Sequence, residues 1–184
     1  ITRGPDGKFL DATGPAIRHL TWAELQRYDV GRLKPGTEYA KRYPQQQAID
    51  GTRIPRLADL FELVKRSGND RVRFAIETKV TPTDSADAVV APEPFARALI
   101  AAIREAGMAQ RASILSFDWR TPAVVQREAP EIATVYITIQ QPSMDTIAAG
   151  KPEGSAWTTG VQHKNHGSVP KMIRATGGRI WSAF

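Results

Sequence analysis

The 184-residue sequence contains no cysteine. This excludes a disulfide framework and every thiolate metal site, and leaves packing to hold the fold. It does not choose a compartment, because cytoplasmic, periplasmic and secreted proteins can all lack the residue. No apolar run approaches the ~20 residues of a membrane span, so stable membrane insertion is not expected and the reading is of a soluble protein. The spacing G-x-G-x-x-G, which would announce an open doubly wound sheet, occurs nowhere. Acidic residues are the minority, 19 Asp and Glu against 25 Lys and Arg, for a net charge of +6. The excess would suit an anionic partner. The cations are scattered among acids rather than clustered, however, so no nucleic-acid surface is expected. With 41% hydrophobic and 24% charged residues, the composition is that of a folded domain and not of a disordered chain.

Residues 1–54 are rich in Gly and Pro turns. Thr21 followed by Glu24 has capping-box spacing, and Leu25 and Tyr28 recur at helical intervals, so a short helix is predicted there. Residues 31–54 read as a long loop, a kind of segment that is often functional. The texture changes at Pro55. Helices are predicted over 56–67, with Leu57, Leu60, Phe61 and Val64 on one face, and over 93–106, stopped by Gly107. Further helices are predicted from a Thr121 cap to Pro130, over 143–149, and from Ser168 to Gly177. Strands are predicted over 72–78, 112–117, 132–139, 156–161 and 179–184. Alternating strands and helices give right-handed crossovers and a parallel sheet. The expectation is one α/β domain over 1–184, a partial (β/α)8 TIM barrel. It has about five strands, where a closed barrel takes eight and ~250 residues. Beginning at Ile1 without an initiator Met and stopping at Phe184 inside a strand, the chain reads as a piece of a longer protein; any signal peptide would lie upstream of Ile1.

The segment Phe74-Ala75-Ile76-Glu77-Thr78-Lys79 carries the chemistry. Strand alternation puts Val72, Phe74 and Ile76 on one face and Ala75, Glu77 and Lys79 on the other. An apolar helix-facing side then sends a carboxylate and an ammonium inward at the strand's C-terminal end, where barrel active sites lie. Two such charges are costly in a core unless a metal, an anion or each other compensates them. A purely structural ion pair between Glu77 and Lys79 is the competing reading.

These residues resemble the glycerophosphodiester phosphodiesterase family. Its I-E-x-K strand matches Ile76-Glu77-Thr78-Lys79, and its I-P-x-L helix opening matches Ile54-Pro55-Arg56-Leu57. A Thr-Arg-Gly turn matches Thr2-Arg3-Gly4 with Asp6-Gly7, and an L-T-x-x-E-L helix matches Leu20 to Leu25. A strand ending S-F-D matches Ser116-Phe117-Asp118, and a hydrophobic-Trp-Ser stretch matches Ile180-Trp181-Ser182. The matches follow family order along the chain. The resemblance implies a TIM barrel that hydrolyses small-molecule glycerophosphodiesters to glycerol 3-phosphate and an alcohol. It further implies a divalent cation, Ca²⁺ or Mg²⁺, held in part by Glu77, and a phosphate contact from Lys79. Phe117 and Trp181 are candidate walls for the glycerol or alcohol moiety, with barrel packing as the alternative for each.

The family's catalytic histidines stand in His-Arg and His-Asp motifs, and neither motif occurs in this sequence. No catalytic residue is therefore visible in the chain, and the acid–base chemistry is assigned to the parent protein. A non-catalytic phosphate-binding protein or an inactive barrel fragment is the alternative. His163 and His166 stand three apart after the 156–161 stretch; a second metal or phosphate contact is one reading, and a polar loop is favoured because no carboxylate accompanies them. His19 precedes the capping Thr21 and reads as surface. Ser116 has no Gly-x-Ser-x-Gly elbow and reads as lining the mouth. Tyr39, Arg42 and Tyr43 are candidates to cap the site from the long loop.

Overall fold

The computed structural model describes residues 2–184, which form two compact units, 2–59 and 60–184. The division falls close to the change of texture at Pro55.

The first unit is built from turns. Arg3 bridges antiparallel to Phe9 and to Asp29. A 3-10 turn, Ile17–His19, precedes α1, Trp22–Leu25, and the expected capping box is present: Thr21 accepts from the Glu24 amide while Glu24 accepts from the Thr21 amide. The long loop contains one further helix, α2, Glu38–Arg42, capped by Thr37. Charge ties these turns together. Asp29 accepts hydrogen bonds from the Gly31 and Gly51 amides at 2.9 Å each and from Arg3 at 2.6 Å. Arg32 reaches Asp50 through Nε and Nη2, both at 2.9 Å. Gly31 is obligatory, because a Cβ there would lie 1.8 Å from the Ile49 carbonyl oxygen. Only Gly4 and Gly31 are buried in residues 2–59; no side chain of this unit is.

Helix α3, Leu57–Arg66, leads into the second unit. There β1, Phe74–Glu77, is followed by α4, Pro92–Glu105, then β2, Ala112–Ser116, and α5, Arg120–Glu128. Next come β3, Ala133–Thr138, and a small hairpin of β4, Gln140–Gln141, and β5, Met144–Asp145. After a 3-10 turn, Ala156–Thr158, the short α6, His163–His166, and α7, Val169–Ala175, precede β6, Ile180–Ala183. The sheet order is β1-β2-β3-β6, and every pair is parallel. The unit is thus an α/β partial barrel with four of the eight strands a closed barrel takes.

Four strands rather than five follow from one local event. Residues 156–161 do not extend: Ser155 caps a 3-10 turn, and Thr159 and Gly160 both take positive φ, 53° and 85°. Residues 143–149 are likewise not a helix. The Asp145 carboxylate accepts from the Ile147 and Ala148 amides at 2.8 and 3.0 Å. A side chain that bonds its own backbone in this way competes with helix formation. Helix α5 begins at Arg120, with Trp119 as its cap residue, so Thr121 lies inside the first turn instead of capping it. Its buried hydroxyl has no hydrogen-bond partner among the described residues.

Register pairs share a face of the sheet. Phe74, Ala112 and Ile114 point to the helices, with Phe74 meeting Phe61 of α3 edge-on at 4.9 Å between centroids. Of the four apolar residues expected on one face of α3, only Phe61 is buried. Tyr136 packs among Trp119, Met172 and Ile173 on that same side. The other face carries Glu77, Leu115, Val135 and Ile180 in one row, set by the strand register.

Candidate active site

All four parallel strands end at the same side of the sheet, the side on which barrels place their chemistry. Glu77 closes β1 on the inner face. Lys79 Nζ donates to Glu77 Oε1 at 2.8 Å. The lysine side chain is 80% exposed and the glutamate 27%. A pair this open contributes about 0–1 kcal/mol. It does not hold the fold together, and the ammonium can leave it for an anion at little cost. The backbone beneath it is fixed. Thr78 and Val80 are buried, the Thr78 amide donates to the Leu115 carbonyl at 2.9 Å, and the Val80 amide donates to the Thr78 carbonyl at 3.1 Å.

At the end of β2 stands a denser group. Asp118 is completely buried. Its Oδ1 accepts from the Arg120 amide at 3.0 Å and from Arg120 Nε at 2.9 Å, and Arg120 Nη2 donates to Oδ2. The Asp118 amide donates to Ser116 Oγ at 3.1 Å, which gives that serine a structural partner. Arg120 Nη2 also lies 3.4 Å from the Thr81 carbonyl oxygen, in the loop after β1. The Asp118 hydrogen bond raises the Arg120 pKa above the ordinary arginine value; burial opposes the rise and the Asp84 charge assists it.

Phe117 extends the inner face beyond Leu115. Its ring meets Trp157 and Phe184 at 6.4 Å between centroids in both cases, at 74° and 68°. Trp181 goes elsewhere. It is in register with Tyr136 on the helix-facing side, and its Nε1 donates to Thr138 Oγ1 at 2.9 Å. The structure therefore brings Glu77 and Lys79 together, places Phe117 on their face, and turns Trp181 to the opposite one. His163 and His166 begin and end α6. In the first unit, the Tyr39 and Tyr43 rings meet at 5.0 Å between centroids, tilted by 53°, and both are half exposed.

The glycerophosphoryl diester phosphodiesterase family model matches residues 2–176. The chain belongs to this family. Among solved structures it is similar to a candidate glycerophosphoryl diester phosphodiesterase from Silicibacter pomeroyi, with 27% identity and a TM-score of 0.76 over 99% of this chain. A candidate glycerophosphodiester phosphodiesterase from Galdieria sulphuraria matches 83% of the chain and 50% of its own length, at 15% identity and a TM-score of 0.45. A glycerophosphodiester phosphodiesterase from Parabacteroides distasonis matches 79% of the chain and 57% of its own length, at 15% identity and a TM-score of 0.41. No curated protein matches the chain. The chain spans 55% of the Silicibacter protein's length.

Within this phosphodiesterase family chain, no three His, Asp or Glu side chains among the described residues converge to hold a metal ion. Ca²⁺ takes about six to eight oxygen ligands, so Glu77 by itself does not fit the ion. No helix among the described residues is long and apolar enough to cross a membrane. The Asp118–Arg120 pair and Trp157 were not picked out from sequence. The one trace of the pair is an acid and a base two residues apart directly after a predicted strand.

Proposed function

We propose that this chain is part of a glycerophosphodiester phosphodiesterase that releases glycerol 3-phosphate and an alcohol. The observation that carries the reading is the Glu77–Lys79 pair at the C-terminal end of a parallel barrel strand, within a chain matched by the family model over residues 2–176. Lys79 binds the phosphodiester and offsets negative charge as it grows on the phosphoryl oxygens. Glu77 holds the ammonium near the inner face until substrate replaces it. Phe117, with Trp157 beside it, presents an apolar wall to the carbon skeleton of the substrate. Protons are moved by histidines of the parent protein. A divalent cation, Ca²⁺ or Mg²⁺, belongs to the same proposal, with Glu77 as this chain's contribution to its binding.

The test is incubation of the full-length protein with glycerophosphocholine and enzymatic detection of glycerol 3-phosphate. Phosphodiester binding without product would favour a non-catalytic phosphate-binding protein. The ligand role of Glu77 is tested apart from turnover, by calorimetric titration of Ca²⁺ and Mg²⁺ into the parent and Glu77→Gln proteins. Weaker binding is expected in the variant, and equal affinities would remove Glu77 from the cation site.

A further inference from the structure

Two loops meet at the C-terminal side of the sheet, one after β1 and one after β2, and a single guanidinium joins them. Asp118 is fully buried, whereas the Arg120 side chain is 42% exposed. The fork of Arg120 uses Nε and Nη2 on the Asp118 carboxylate, and Nη2 also faces the Thr81 carbonyl oxygen. Thr81 is itself in a closed turn, its amide bonded to the Asp84 carboxylate and its hydroxyl 3.1 Å from that of Thr83. Thr81 lies two residues past Lys79. The Lys79 backbone is therefore fixed on one side by β1 pairing with β2, through the Thr78 amide, and on the other by the Arg120 contact with Thr81.

A buried carboxylate without a cation would be costly, so Asp118 fixes Arg120 as firmly as Arg120 neutralises Asp118. The guanidinium fork bonds Asp118 through two nitrogens and reaches the Thr81 carbonyl with one of them; the shorter lysine side chain ends in a point charge that neutralises Asp118 without the two-nitrogen fork that aims Nη2 at Thr81. We propose that Arg120 is a positioning residue: anchored on Asp118, it latches the loop after β1 and so fixes the Lys79 ammonium where the phosphate binds. The part concerning phosphate rests on the phosphodiesterase reading above; the latch itself does not.

The experiment compares the full-length parent protein with Arg120→Lys, which keeps Asp118 paired, and Arg120→Met, which keeps most of the side-chain stem. Amide hydrogen exchange over 81–84 and over the strands 112–116 and 133–138 is measured, together with kcat and KM for glycerophosphocholine. In Arg120→Lys, exchange over 81–84 is expected to rise about tenfold with the strands unchanged, the signature of a local opening. Its kcat should fall roughly tenfold with KM nearly constant, as misplacement of a group acting in the transition state requires. Arg120→Met should show larger changes in the same sense. Parental exchange over 81–84 in Arg120→Lys would overturn the latch, as would a uniform rise across all strands. Local opening with parental kcat would overturn the positioning role. A parent protein that releases no glycerol 3-phosphate would overturn the phosphodiesterase reading and not the latch, which the exchange data then decide alone.

Discussion

Gly178 sits just before β6, where the chain passes close to the packed side chains of the helix-facing layer. A methyl group there would lie 2.5 Å from Tyr136 Cε2, 2.6 Å from Ile173 Cγ2 and 2.9 Å from Tyr136 Cδ2. None of these neighbours can easily give way. Tyr136 is fully buried, stands edge-on to Trp119 at 5.0 Å, and donates its hydroxyl hydrogen to Gln126 Oε1 at 3.1 Å. Ile173 is buried in the same cluster. Gly178→Ala therefore sets two effects against each other. Reduced freedom in the unfolded chain stabilises by about 0.4–1 kcal/mol, and overpacking costs about 1–3 kcal/mol. The clash wins, and the expected net loss is about 1–2 kcal/mol. For a protein of this size that lowers Tm by roughly 2–8 °C. Urea unfolding of the full-length protein, followed by Trp fluorescence, measures it. The partner variant Tyr136→Leu opens the space, so the double variant should lose less than the sum of the singles. A Gly178→Ala protein as stable as the parent would refute the argument that this layer cannot yield.

Three further outcomes are expected. Lys79→Met retains the aliphatic stem of an exposed side chain; it should leave Tm unchanged and lower kcat on glycerophosphocholine roughly 10²-fold, and a parental rate would return Lys79 to a structural pairing role. Hydrogen bonds from Arg97 and then Arg127 lower the Glu128 pKa from the ordinary 4.5 to about 2. Because the folded value is the lower one, the unfolded chain binds more protons between these values. The Glu128 contribution is complete above about pH 4.5 and is lost as pH falls towards 2, so the stability gap between the parent and Glu128→Gln should narrow on acidification over that window; a gap independent of pH would contradict the pairing. Thr21→Ala removes the capping box of α1 and should cost about 0.5–2 kcal/mol of local helix stability, seen as faster amide exchange at Glu24.

How far the sequence could be read depended on the range of the interactions. The alternation in Phe74 to Lys79 is a property of six neighbouring residues, and it placed Phe74 on the helix side and Glu77 opposite. The capping box at Thr21 and Glu24, and the stop at Gly107, which takes φ of 68°, are equally local. Residues 156–161 carried a strand-like composition, yet the Ser155 cap and the left-handed Thr159 turned the chain instead. Asp145 overrode helical spacing in the same manner. At the site, Glu77 and Lys79 could be named because they stand two residues apart in one short segment, at and just past the end of β1. The Arg120 contact with Thr81 joins residues 39 apart in sequence, and no pattern within either segment announces it. The face of Trp181 stayed open between a substrate wall and barrel packing for a related reason: its own strand is too short to reveal a face, which only the register with Tyr136 defines.

The bareness of residues 2–59, in which only two glycines are buried, has a thermodynamic consequence. Heat capacity and denaturant sensitivity of unfolding both scale with the surface newly exposed to water. A unit held by Arg3, Asp29, Arg32 and Asp50 instead of by a hydrophobic interior has little such surface to expose. Its opening would pass almost unseen in a calorimetric trace and would depend only shallowly on urea. Salt acts differently: at about 0.15 M the screening length is ~8 Å, and further electrolyte weakens the half-exposed Arg32–Asp50 pair more than the largely buried Arg3–Asp29 pair, while leaving the sheet's apolar layer intact. Guanidinium chloride, a denaturant and an electrolyte at once, weakens these pairs through its ionic strength as well as through its action on buried surface, whereas urea acts through the second alone.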